Sequence, residues 1–268
     1  MKRCGKWPIG VCSWSLKNNT DKLAELMAET GISHIHLALA PAFSTAGKAY
    51  LDEINRQGWQ LTATMIGFPQ EDYSTLESIK KTGGIVPDEC WEYNKEFVFD
   101  AIDMTASLGI KYLEFHFGFI DNKNSVFANR VRCLADAAAE KDVVLLMETG
   151  QETAQTLAEF LERLAHPALA VNFDPGNMIL YGKGNPVKAV NLLGQWIRHI
   201  HIKDALSSSI KDNWGCEVPW GSGEVEQKAF LAALERNGFS GALLIEREAG
   251  GNRFEDIKTA IELLSRRL

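Results

Sequence analysis

VVLLMETGQE (residues 143–152), LAVNFDPGN (169–177) and IRHIHIKD (197–204) decide how this chain folds. Each is a short apolar run that ends on a residue able to bind a metal, namely Glu148, Asp174 and His201. A fourth run, ALLIEREAG (242–250), adds Glu246. Four buried strands that each deliver a carboxylate or imidazole at the exit end describe one site assembled by a parallel sheet.

Outward from this stretch, strand and helix patterns alternate along the whole chain. Strand candidates are PIGVCSW (8–14), ISHIHLALAP (32–41), WQLTATMI (59–66), KYLEFHFGF (111–119), DVVLLMETG (142–150), LAVNFDPG (169–176), WIRHIHIKD (196–204) and GALLIERE (241–248). Helical spacing fills 21–30, 46–57, 95–108, 125–141, 153–164, 187–193, 226–236 and 254–267. Eight such pairs predict an α/β fold of one domain over residues 1–268, a closed (β/α)8 TIM barrel. A doubly wound open sheet would carry G-x-G-x-x-G after its first strand, and none is present. Two connections are longer than the rest. Residues 67–93 after strand three and 205–224 after strand seven are predicted to be loops beside the site, the first with some short helix.

Composition narrows the partners. At 46% apolar and 24% charged the chain has material for a sheet under a layer of helices. A net charge of -7, with no Lys/Arg block, argues against nucleic acid or an acidic membrane surface and for a small molecule. No run reaches the ~20 apolar residues of a membrane span. Five scattered cysteines without a C-x-x-C pair suit reduced thiols and a cytoplasmic location, and MKRCGKWPIGVCSW reads as a first strand rather than a signal peptide. Subunit number is left open, a homo-oligomer included.

Strand phase places the polar groups. Side chains alternate faces, so one phase points into the barrel and the other packs under the helices. With Ile200 and Ile202 outward, His199, His201 and Lys203 point inward. The same test sends His34 and His36, then Tyr112, Glu114 and His116, then Asn172 and Asp174 inward, and Glu148 and Glu246 with them if Met147 and Ile245 face the helices. His34, His36 and His199 fall deeper in the lumen, where a structural role is expected. Several carboxylates buried together demand protons or a cation. Two Glu, one Asp and one His form an oxygen-rich set that favours one divalent ion, Mn, Mg or Co, over a closed thiolate zinc site. The separations of 26, 27 and 45 residues fit two one-strand steps and a third enlarged by the loop after strand seven.

ETGQE (148–152), NFDPGN (172–177), HIHIKD (199–204) and IEREAG (245–250) resemble the xylose isomerase-like TIM barrels of the sugar phosphate isomerase/epimerase type. The resemblance covers essentially the whole chain and implies a metal held by Glu148, Asp174, His201 and Glu246. The implied activity is isomerisation or epimerisation of a ketose-like sugar through an enediolate, with Glu148 and Glu246 as base and acid on opposite sides of the substrate. Dehydration of the inosose type uses the same constellation, and a non-catalytic sugar-binding barrel is a further alternative. Abasic-site DNA cleavage is disfavoured, because six histidines and an acidic chain suit neither a multinuclear zinc cluster nor a basic groove. The sequence departs from the resemblance at Asn177, where many ketose epimerases have His. An amide cannot carry a proton but can hydrogen-bond a hydroxyl, so Asn177 joins His116, Trp14 and Lys203 as a candidate substrate-binding residue.

Overall fold

Eight parallel strands close into a barrel in the computed structural model, which describes residues 2–210 and 213–266. In chain order they are β1 (Trp7–Cys12), β2 (His34–Ala38), β3 (Gln60–Met65), β4 (Tyr112–Phe115), β5 (Val144–Glu148), β6 (Leu169–Phe173), β7 (Ile197–Ile202) and β8 (Leu243–Ile245). Each pairs in parallel with its sequence neighbours, and β8 closes the ring on β1 through Leu243↔Ile9 and Ile245↔Val11. A two-residue segment, Arg3–Cys4, runs antiparallel beside β1 at its start.

The helices follow the apolar spacing and its caps. In α1 (Thr20–Thr30), Asn19 caps the first turn by accepting from Lys22 N, and Gly31 ends the helix at φ 75°, a conformation that favours glycine. Leu23, Leu26 and Met27 form its buried stripe. The remaining helices are α2 (Gly47–Gln57), α3 (Leu76–Thr82), α4 (Trp91–Ser107), α5 (Ser125–Glu140), α6 (Ala154–Leu164), α7 (Pro175–Leu180), α8 (Pro186–Leu193), α9 (Gln227–Arg236) and α10 (Arg253–Ser265). The expected end of the last helix at residue 267 lies outside the described residues.

Packing follows the strand phase. Leu113, Phe115, Met147, Val171, Phe173, Ile200, Ile202 and Ile245 all lie in the large cluster between sheet and helices. The lumen holds two small apolar clusters, Ala63, Leu146 and Ala170 in one and Cys12, Ala242 and Leu244 in the other. Among them stand the polar side chains His36, Glu114, Asn172, His199 and His201, all buried.

The first long connection holds the short helix expected of it, while the start of α4 and the region after β7 differ from the expectation. Residues 67–93 contain α3, a 3-10 turn at Asp88–Cys90 and the first turn of α4, which begins at Trp91 instead of 95. The region after β7 forms an antiparallel ribbon, Asp204–Leu206 with Cys216–Val218, while residues 211 and 212 of it lie outside the described residues. Asp204 pins the ribbon by accepting from Gly221 N, Gly223 N and Val225 N.

Candidate metal centre

The four residues singled out by strand phase meet at the exit end of the barrel. Glu148 ends β5, Asp174 follows β6, His201 sits in β7 and Glu246 follows β8. One ligand atom from each lies within 4.8 Å of the others. His201 Nδ1 is 2.7 Å from Glu148 Oε1, 3.3 Å from Glu246 Oε2 and 3.8 Å from Asp174 Oδ2.

Asp174 shows most directly that the group suits a cation. The Asp-Pro pair starts α7: Oδ1 accepts from Asn177 N at 2.9 Å, and Pro175 takes the first helical position, where no N–H is needed. Thr149 Oγ1 accepts from Asp174 N at 2.8 Å and donates to its carbonyl at 2.9 Å, which holds the backbone in place. Gly176 lets α7 approach β7, since a Cβ there would sit 2.8 Å from Lys203 Cγ. The other carboxylate oxygen, Oδ2, is buried without a hydrogen-bond partner. Lys203 Nζ and His201 Nδ1 each stand 3.8 Å from it, too far to hydrogen-bond, and a buried carboxylate oxygen without a hydrogen bond is costly, so a cation at this point satisfies it. The oxygen-rich donor set with one imidazole fits a hard or borderline divalent ion. Helix α7 itself was missed in the sequence, although Asp-Pro at N-cap and N1 was the available signal.

Electrostatics in the site are dominated by burial and by the carboxylates. Burial pushes the Asp174 carboxyl up to about 7. Burial would also raise Glu148, but hydrogen bonds from His116 and His201 bring it down to about 2. Glu246 is likewise held well below the usual range despite burial, by the charges of Lys203 and His201. Burial opposes protonation of His201, yet the surrounding acidic groups hold its pKa well above the ordinary value. Lys203 Nζ reaches Glu246 Oε2 at 2.9 Å and Glu248 Oε2 at 2.8 Å.

A cavity of about 650 Å³ opens above this group. All four candidate substrate-binding residues line it: Trp14, His116, Asn177 and Lys203. Their commitments differ from a simple wall. The Trp14 indole donates to Glu246 Oε1 at 2.6 Å, and Lys203 compensates carboxylates. His116 Nε2 bonds Glu148 Oε2 at 2.7 Å, while its Nδ1 meets the Tyr73 hydroxyl. Burial lowers the His116 pKa, but the bond to Glu148 and nearby acidic groups outweigh it and raise the pKa to about 10. Both long connections reach the cavity, through Glu71 and Tyr73 from 67–93 and through Trp214, Gly215 and Glu217 from 205–224. Sequence reasoning noted Tyr73 only as an aromatic of the 67–93 connection over the site and did not single out Glu71, Tyr181, Glu217 or Glu248; none ends an apolar run, so no local pattern marks them.

Comparison with known proteins agrees with this architecture. The model of the family described as xylose isomerase-like TIM barrel matches residues 60–267. The structure of a xylose isomerase domain protein from Planctomyces limnophilus superposes with a TM-score of 0.86 at 31% identity, covering 97% of this chain and 96% of that one. D-allulose 3-epimerase from Methylomonas sp. superposes with a TM-score of 0.72 at 17% identity, covering 100% and 99%, a likeness of fold alone. Inosose dehydratase from Clostridium botulinum (strain Eklund 17B / Type B) is 23% identical over 160 residues, which are 54% of this chain and 53% of that protein. The match thus spans about half the length of that curated relative. No helix among the described residues is long and apolar enough to cross a membrane. With the family model matched over most of its length, this chain belongs to the xylose isomerase-like TIM barrels.

Proposed function

We propose that this protein is a divalent-metal-dependent isomerase or epimerase of a ketose-like sugar or sugar derivative. The observation that carries the reading is the convergence of Glu148, Glu246 and Asp174 Oδ2, which lacks a hydrogen bond, on His201 Nδ1 next to a cavity that Glu148 and Glu246 line. Glu148, Asp174, His201 and Glu246 would hold one Mn, Mg or Co ion, which when bound supplies Lewis-acid polarisation of a carbonyl and offsets developing negative charge.

The chain's own groups then handle the protons. Glu148 and Glu246 each turn one oxygen towards His201 and the other towards a cavity wall, to His116 and Trp14 respectively. In this reading Glu148, as carboxylate, removes the proton from the carbon beside the carbonyl, and Glu246, after taking a proton from solvent, delivers it from the opposite side. Return to the same carbon gives epimerisation, and delivery to the neighbouring carbon gives isomerisation. His116 holds Glu148 ionised and oriented as the base, and Trp14 orients Glu246. Asn177 and Tyr73 offer neutral hydrogen-bonding groups to substrate hydroxyls. The thiols at Cys90, Cys133 and Cys216 suit the reducing cytoplasm in which we place the protein.

Dehydration is the second reading, favoured by the inosose dehydratase relative and by the imidazole of His116 beside Glu148. A protonated His116 is placed to give its proton to a departing hydroxyl. A panel of ketoses, ketose phosphates and inososes in deuterated buffer with Mn tests both readings. Deuterium in recovered sugar supports the first, loss of water to an unsaturated ketone supports the second, and neither exchange nor loss of water from any compound refutes both.

A further inference from the structure

Barrels of this kind commonly bind a substrate phosphate with the loops that follow strands seven and eight. Here the corresponding donors already hold an anion that belongs to the chain. Glu217, carried by the ribbon after β7, reaches the loop after β8 and accepts from Arg247 Nη1 at 2.6 Å, from Glu248 N at 3.0 Å and from Ala249 N at 3.2 Å. Its side chain is only 7% exposed, and Arg247 is also bound to Asp256 at 2.9 Å. A carboxylate in a pocket of two backbone N–H groups and a guanidinium is a built anion position, filled from within.

The opposite side of the cavity mouth repeats the arrangement. Glu71 accepts from Gly84 N at 3.0 Å and from Phe68 N at 3.1 Å, so the donors of that connection are also taken. Among the described lining residues, Lys203 and His116 alone can be cationic, and both are engaged by carboxylates. Apart from the glutamates, the remaining walls are aromatic or neutral, with Tyr181 and Trp214 packed edge to face at 4.7 Å. Such walls suit the C–H faces and hydroxyls of a neutral sugar.

We propose that the Glu217 carboxylate occupies the phosphate position of the barrel, and that the cavity selects an uncharged polyhydroxylated carbonyl compound over its phosphate ester. The inference deepens the function proposed above and rests on it for the identity of the reaction. A phosphate dianion entering the mouth meets Glu71, Glu217 and Glu248 with no unpaired cation among the described lining residues to receive it.

Two measurements test this. In the first, solvent deuterium exchange into D-fructose, D-ribulose and an inosose is compared with exchange into D-fructose 6-phosphate and D-ribulose 5-phosphate, using Mn-loaded protein. The neutral compounds are expected to exchange at least about 100-fold faster than the esters; an ester that matches or outpaces its parent overturns the proposal. In the second, inorganic phosphate is titrated into metal-free protein and followed by phosphorus NMR. Wild type is expected to show no saturable binding in the millimolar range, and Glu217→Ala to bind at least about tenfold more tightly. Glu217→Gln, which keeps the side-chain shape, serves if the alanine variant unfolds. Saturable binding by wild type, or no gain in either variant, overturns the role of Glu217. Absence of exchange from every compound refutes the catalytic reading alone, because the phosphate titration does not depend on turnover.

Discussion

His36 Nδ1 and His201 Nε2 lie 3.0 Å apart in the buried lumen, and this contact determines which nitrogen of His201 faces the carboxylates. His36 Nε2 is 3.1 Å from the Thr64 carbonyl, which can only accept, so His36 carries its proton on Nε2. Burial and the charge of His201 lower the His36 pKa to about 3, so that ring is neutral and its Nδ1 accepts from His201 Nε2. His201 Nδ1 is thereby left towards Glu148, Glu246 and Asp174.

His36 is therefore expected to orient the imidazole proposed to bind the metal, without itself being a ligand. Replacing it by Leu removes the acceptor and should weaken Mn binding by about 10- to 100-fold. His36→Gln retains an acceptor oxygen and should recover part of the affinity. Calorimetric titration of both variants checks this, and equal affinities in Leu, Gln and wild type would remove His36 from the argument.

Metal binding should release protons, and its pH dependence has a definite sign. Asp174 is raised by burial to about 7 from an ordinary 3.8, so the metal-free native state keeps this proton over a pH range in which the unfolded chain has lost it. The metal-free fold therefore loses stability as pH rises from about 4 to about 7 through this group. Metal affinity rises over the same range, because the ion needs the carboxylate. His201 adds a second proton, since the site's acidic groups keep it charged in spite of burial until an ion displaces it. About two protons should leave at pH 6 and about one at pH 8. Titrations in buffers of different ionisation enthalpy measure the number; heats that do not depend on the buffer would contradict it.

Glu148→Gln and Glu246→Gln should each lower solvent deuterium exchange by about 10² to 10⁴-fold, the usual cost of losing a positioned acid or base. Circular dichroism should show an intact barrel in both. Undiminished exchange in either variant would remove that residue from proton transfer.

His116→Gln should move the acid limb of the activity profile to higher pH. Burial raises the Glu148 pKa, and the hydrogen bond from His116 is first among the influences that bring it to about 2. Losing that bond lets the carboxyl protonate at higher pH. A profile unchanged in its acid limb would show that His116 does not tune the base.

Gly84→Ala should destabilise the fold by about 1–3 kcal/mol or more. Gly84 adopts φ +60°, and a Cβ there would lie 2.3 Å from the His116 carbonyl oxygen. The close approach seats the 67–93 connection on the end of β4, next to His116 and Tyr73. Denaturant unfolding measures the change, and a variant as stable as wild type would show that the connection is not held there.

By itself the sequence determined the barrel and the inner face of its strands. The period-two alternation around Ile200, Ile202, Phe173 and Met147 leaves one phase for the lumen, and a strand cannot change phase without exposing its apolar set. Glu148, Asp174, His201 and Glu246 were legible for that reason, each at the end of an apolar run. Only the tertiary structure decided what surrounds them. The tautomer of His201 depends on His36, 165 residues away, and the hydrogen bond of Trp14 to Glu246 spans 232 residues. Glu217 is an ordinary charged residue in its own segment, and it becomes an internal anion only because the ribbon after β7 folds it against the loop after β8. Local pattern records which face a side chain takes; partners and charge balance are set by distances between segments that only the closed ring brings together.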